Sequence, residues 1–166
     1  AASEAFARKN INCSIAESVE RFGPVIAKAK GAGITVRAAL SCCLGCPYEG
    51  EVSAAQVERV AAQLAASGVD HLSVSDTIGV GTPRRVQAAL EAALRHFPLH
   101  QVSGHYHDTY GQALANVYAS LELGVSRFDA SVGGLGGCPY AKGATGNVAT
   151  EELVFLLDGL GIDTGI

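Results

Sequence analysis

Four short apolar or alternating runs start near residues 34, 70, 101 and 126, and each leads into an amphipathic stretch. The recurrence, about every 30 residues, is that of strand–helix units in a parallel sheet. Ser14-Ile15-Ala16-Glu17 reads as a capping box, which opens a helix to about Lys30 that Gly31 and Gly33 end. Strands are predicted over 34–40, 70–75, 101–107 and 126–132. Ser53 caps the helix after the first strand, which runs to Gly68. Thr82-Pro83 opens the next, to about His96, and Asp108 caps a third that runs to Gly124. A last helix starts at Thr150-Glu151-Glu152 and ends near Gly159. The units share little sequence, which argues against a solenoid.

Polar, glycine-rich segments follow each strand: 41–50, 76–81, 107–108 and 133–147. Chemistry collected at strand C-termini belongs to (β/α)₈ barrels and doubly wound sheets. The chain has 166 residues, whereas a complete barrel takes roughly 250. The reading is therefore α/β, with 1–166 a single partial (β/α)₈ TIM-barrel domain supplying about the last four strand–helix units, the N-terminal half being expected upstream.

The segment 133–147 holds Cys138 among six glycines and closes on Asn147. Such glycine density marks backbone that moves or takes positive φ, so the loop is placed to carry a thiol onto a substrate. Lys142 is near enough in sequence to favour thiolate. The competing reading is a surface loop with an incidental cysteine.

His105 and His107 stand two apart on a strand and so share a face. Two imidazoles suit Mg²⁺, Mn²⁺ or Zn²⁺ if oxygen ligands complete the shell. Both readings stay open here, a metal pair or two hydrogen-bonded histidines beside an Asp108 helix cap. Asp76 ends its strand before a turn, where it either orients a histidine, takes part in proton transfer or serves the turn alone. Asn147 offers an amide oxygen to a hard metal or caps the last helix. Glu151 follows one turn on, supporting the site or the helix dipole. Cys42, Cys43 and Cys46 are discounted as a metal cluster, since adjacent Cys42 and Cys43 point to opposite faces and no second CxxC pair exists. Cys46 lines a pocket wall or packs in the core.

Net charge is −4, with Lys and Arg scattered, so no nucleic-acid groove or polybasic membrane patch is indicated. No apolar run reaches the length of a membrane span. Five cysteines without framework spacing point to a reducing interior. The Ala-, Gly- and Arg-rich composition suggests a bacterial cytoplasm, or the mitochondrial matrix if the source is eukaryotic.

Several stretches together resemble the hydroxymethylglutaryl-CoA lyase family, a branch of the metal-dependent (β/α)₈ enzymes that also includes isopropylmalate and homocitrate synthases. They are Ala2-Ser3-Glu4, Lys9 to Ser14, Leu44 to Gly50, Ser75 to Pro83, His105 to Asn116, and the Gly133–Asn147 loop. The loop, with its Cys-Pro-Tyr, is the part specific to the lyases. The resemblance implies cleavage of 3-hydroxy-3-methylglutaryl-CoA to acetyl-CoA and acetoacetate. It also implies His105, His107 and Asn147 as ligands of Mg²⁺ or Mn²⁺, with His105 also moving a proton. Cys138 becomes the catalytic loop thiol and Asp76 an assisting residue, and the expected substrate contacts are Cys46, Ser73 and Glu151. Expected partners are an acyl-CoA and, at full length, a second copy in a homodimer. The alternatives are a related acyl-CoA condensing enzyme or a non-catalytic half-barrel. The chain departs from the family in two respects. The family's catalytic Arg and a metal-binding Asp lie on a first strand that has no counterpart here, and Ala39 stands where Tyr is common.

Overall fold

The computed structural model describes residues 1–139 and 146–166. Among them, four strands form one parallel sheet in chain order: β1 (Arg37–Leu40), β2 (His71–Asp76), β3 (Val102–Tyr106) and β4 (Phe128–Asp129). Helices α3 (Ala54–Ala66), α4 (Pro83–Leu94) and α5 (Ala113–Glu122) connect successive strands, and α6 (Thr150–Gly159) follows the last. Two helices precede the sheet, α1 (Glu4–Ile11) and α2 (Ile15–Gly31).

Strand side chains alternate between two faces. One face carries Leu40, Leu72, Val74, Val102 and Tyr106, all buried in a single cluster with Val57 and Leu64 of α3, Val86 and Leu90 of α4, and Val117 of α5. Burying each such side chain contributes about 1.5–3 kcal/mol, and this layer holds the helices to the sheet. The opposite face is small and polar. Its rows follow from the register: Ala39, Ser73 and Ser103 lie side by side, and Ser75, His105 and Asp129 form the next row.

Gly104 lacks a side chain for a visible reason. A Cβ there would stand 2.6 Å from the Tyr106 ring, which folds back over it. The buried Tyr106 hydroxyl meets Ser120 Oγ at 2.8 Å, and Ser120 Oγ donates to the Asn116 carbonyl at 2.6 Å.

The capping box at the start of α2 forms as expected, Glu17 N–H donating to Ser14 Oγ at 3.1 Å and Ser14 N–H to Glu17 Oε2 at 2.7 Å. Other boundaries differ. The helix over 4–11 was not anticipated; Ser3 caps it, and it buries only Phe6 and Ala7, too few for an apolar period to show. Asp108 does not begin α5. A turn intervenes, and its Oδ1 accepts the Ala113 N–H at 2.8 Å across that turn. Thr82 makes no side-chain cap bond. The fourth strand shortens to two residues because the chain turns into a 3₁₀ segment at Val132–Gly134.

Candidate active site

The C-terminal ends of the strands meet the return of the glycine loop. Four backbone bonds hold that return: Asp108 N–H to Gly146 O at 3.0 Å, Val148 N–H to Tyr106 O at 3.1 Å, Ser131 N–H to Val148 O at 3.1 Å, and Thr150 N–H to Ser131 O at 3.0 Å. His107 and Asn147 thereby face each other in an antiparallel bridge. A cavity of about 620 Å³ opens here, walled by Phe6 and Asn10 of α1, Ala39 and Ser41, Ser75 and Thr77, His105 and His107, and Gly136 to Pro139 with Asn147.

The two imidazoles stand edge to face, their centroids 5.2 Å apart. His107 Nδ1 lies 2.8 Å from the Asp76 carbonyl oxygen. A carbonyl only accepts, so Nδ1 carries the proton and Nε2 keeps its lone pair. His107 is 6% exposed, and burial holds its pKa below the usual histidine value, with His105 nearby adding to the effect. Its neutral form is therefore favoured. His105 Nδ1 lies 3.0 Å from Asp129 Oδ2. The bond to His105, helped by the Arg37 guanidinium, pulls the Asp129 carboxyl down to about 2. As a carboxylate it accepts from His105 Nδ1, and His105 Nε2 has no hydrogen-bond partner among the described residues. Asn147 Nδ2 donates to the Leu135 carbonyl at 3.0 Å, and its Oδ1 has no partner among the described residues. Two imidazole nitrogens and one amide oxygen on one cavity wall suit a divalent cation that accepts mixed N and O ligands. Among the described residues no three His, Cys, Asp or Glu side chains converge as a metal site. The third donor here is an amide, and any further ligands must come from elsewhere.

Of the residues singled out from sequence, His105, His107, Cys138 and Asn147 line this one cavity. The other four do not. Asp76 points its carboxylate into the following turn, accepting from Val80 N–H at 3.1 Å and Gly81 N–H at 2.8 Å. Burial raises its pKa, and what it gives the site is its backbone carbonyl. Cys46 is buried with Phe6 and Cys42, its sulfur 2.9 Å from Ser3 Oγ, so the core alternative describes it. Cys43 belongs to the main core instead, which bears out the opposite-face reading. Ser73 is fully buried on the polar face, and its hydroxyl has no hydrogen-bond partner among the described residues. Glu151 accepts the Gly133 N–H through both oxygens, at 2.9 and 3.1 Å, and so anchors the start of the glycine loop. Lys142 lies outside the described residues.

Sequence reasoning passed over Asp129, Arg37, Thr77 and the α1 pair Phe6 and Asn10. No local period marks Asp129, which shares a strand row with His105 only through the β3–β4 register.

The whole of residues 1–166 matches the HMGL-like family. The chain belongs to that family. It is 55% identical over 166 residues to the mitochondrial hydroxymethylglutaryl-CoA lyase of Gallus gallus, covering all of this chain and 56% of that protein. It is also 55% identical to the 3-hydroxy-3-isohexenylglutaryl-CoA/hydroxymethylglutaryl-CoA lyase of Pseudomonas aeruginosa, again over the full chain and 55% of the relative. The HMG-CoA lyase crystal structure from Brucella melitensis superposes with a TM-score of 0.94 at 52% identity, covering 99% of this chain and 58% of that one. An HMG-CoA lyase from Acinetobacter baumannii, in complex with coenzyme A and 3-methylmalate, gives 0.91 at 33% identity, over 98% and 53%. The chain thus spans about half the length of the relatives it matches, and its four strands are part of an α/β TIM barrel. The HMGL-like family implies a divalent metal. Its relatives are named from mitochondria and from bacteria, and among the described residues no helix is long and apolar enough to cross a membrane.

Proposed function

We propose that this chain supplies the metal-binding half of a carbon–carbon lyase that cleaves 3-hydroxy-3-methylglutaryl-CoA to acetyl-CoA and acetoacetate. The observation that carries the reading is the pair of Nδ1-tethered imidazoles beside the Asn147 amide and Cys138 in one cavity. The names of the relatives favour cleavage over condensation.

The reaction removes the proton of the tertiary hydroxyl, breaks the bond between C2 and C3, and leaves its electron pair on the acetyl-CoA enolate. A proton then returns to that carbon. His105 Nε2, His107 Nε2 and Asn147 Oδ1 would hold Mg²⁺ or Mn²⁺. A cation there makes the hydroxyl easier to deprotonate and offsets negative charge developing in the transition state. A single free nitrogen serves one role at a time, and we assign the Nε2 of His105 to the metal rather than to proton transfer. Cys138 lines the cavity from the loop and supplies an S–H where the carbanion forms. The Gly133 anchor on Glu151 limits where that loop starts. The barrel's other half must contribute the cationic and carboxylate groups missing here, and the assembled protein is expected to work as a homodimer in a reducing compartment, a bacterial cytoplasm or a mitochondrial matrix.

Full-length protein, incubated with 3-hydroxy-3-methylglutaryl-CoA and Mg²⁺ or Mn²⁺, is expected to release acetoacetate, and chelation is expected to stop it. Release that chelation leaves unchanged would overturn the reading. So would turnover of a 2-oxo acid with acetyl-CoA in place of cleavage, the outcome for a condensing enzyme.

A further inference from the structure

Arg37 and Asp129 occupy the two outermost strands, β1 and β4, yet form an ion pair across the polar face. The same guanidinium donates to Ser103 Oγ at 3.1 Å on the way. Asp129 Oδ2 is the atom that meets both Arg37 and His105 Nδ1. One carboxylate oxygen thus joins a fixed cation to one ring nitrogen of the histidine.

We propose that Asp129, held by Arg37, is a positioning residue for His105: it accepts the hydrogen bond from Nδ1–H, fixes the ring's tautomer and plane, and presents Nε2 to the divalent cation. The proposal rests on the reading of His105 as a metal ligand. The chemistry explains the need. A free neutral imidazole exchanges its proton between two nitrogens and turns about its bonds, so only part of its population offers Nε2 in the required direction. A carboxylate on Nδ1 removes both freedoms and makes Nε2 a better donor. His107 reaches the same state through a backbone carbonyl, which no side-chain substitution removes. The two ligands are therefore locked by different means, and only the lock on His105 is open to mutation. Arg37 keeps Asp129 from turning away, since the carboxylate is 35% exposed and would otherwise be free to do so.

The test uses the full-length protein without substrate. Nitrogen-15 NMR of the metal-free wild type is expected to show His105 as a single Nδ1–H tautomer; a mixture or the Nε2–H form overturns the proposal whether or not any variant folds. Mn²⁺ binding, followed by electron paramagnetic resonance, is expected to weaken roughly 10–100-fold in Asp129→Ala, with Asp129→Glu recovering part of the loss and Arg37→Ala losing less. A merely structural role would lower the melting temperature and leave Mn²⁺ affinity unmoved, and that result overturns the proposal. Unchanged affinity in His105→Ala overturns it too, by removing its premise. The lyase reading stands or falls separately, on acetoacetate release by the wild type.

Discussion

Asn147 is placed beside His107 by backbone pairing and not by its own side chain. The bridge between them is part of a run of four main-chain bonds that stitches the returning glycine loop between β3 and the segment after β4. The amide nitrogen donates to the Leu135 carbonyl, and the residue lines the cavity. Gly146 is the hinge point of that return. Its φ is +117°, and a Cβ there would stand 2.2 Å from the Gly134 carbonyl oxygen. Gly146→Ala is expected to introduce about 1–3 kcal/mol of local strain and to weaken Mn²⁺ binding, with the helical signal in circular dichroism kept. Titration with Mn²⁺ checks this, and tight binding by the variant would contradict it.

Cys138 lines the cavity without belonging to the ligand set. Cys138→Ser is expected to slow acetoacetate formation by about 10²–10⁴-fold, the range for losing a positioned proton donor. Mn²⁺ affinity should stay at the wild-type value. A parallel loss of both would show the thiol to be structural or a ligand.

Asp129 gives a pH dependence of stability with a definite sign. The His105 contact and the Arg37 guanidinium pull its carboxyl down to about 2, below the ordinary 3.8 of an aspartate, so the folded state holds it ionised where the unfolded chain would protonate it. The contribution is complete above about pH 4 and is lost as pH falls toward about 2. Acid-unfolding curves of the wild type should therefore be steeper over that window than those of Asp129→Asn. Equal slopes would mean that the Arg37 and His105 contacts do not persist in solution.

The Tyr106 ring lies where a side chain on Gly104 would be. Gly104→Ala is expected to cost about 1–3 kcal/mol through overpacking, read by urea unfolding. Tyr106→Phe should cost about 0.5–1.5 kcal/mol for the lost hydrogen bond, because Ser120 Oγ keeps its bond to Asn116. The first variant should also disturb metal binding, since Tyr106 separates the two histidines in the strand.

Residues 1–166 without the remainder of the barrel should show no turnover. The sheet has four strands here, and the cavity offers three metal donors among the described residues, His105, His107 and Asn147. Acetoacetate assays on the isolated chain and on the full-length protein, side by side, check this; activity in the isolated chain would contradict it.

The features legible from sequence were those set by short-range periods. The period of two put His105 and His107 on one face, and Ser14 with Glu17 announced a helix start that formed as read. Glycine density placed Cys138 and Asn147 on one loop, and the loop closes on the histidines. What stayed hidden depended on direction or distance. Asp76 carries a carboxylate that looks catalytic, but the strand's alternation aims it at the turn, and only its carbonyl serves His107. Ser73 and Cys46 have the chemistry of contact residues and the burial of interior ones. Glu151 was read as a substrate contact, yet its carboxylate is engaged by a backbone N–H that no pattern reveals. The α1 helix escaped because a cap residue and two buried side chains leave no apolar stripe. Asp129 sat in a strand of two residues, too short for alternation to mark which way it faces.

The reach from Arg37 to Asp129 has a geometric consequence. Four parallel strands must twist, but nothing in their hydrogen bonding obliges them to curl. An ion pair joining the first strand to the last is a chord drawn across an arc, made only while the two edges stay within the reach of one arginine side chain. The two edges of the sheet and the tether on the histidine at its rim thus meet at one carboxylate oxygen.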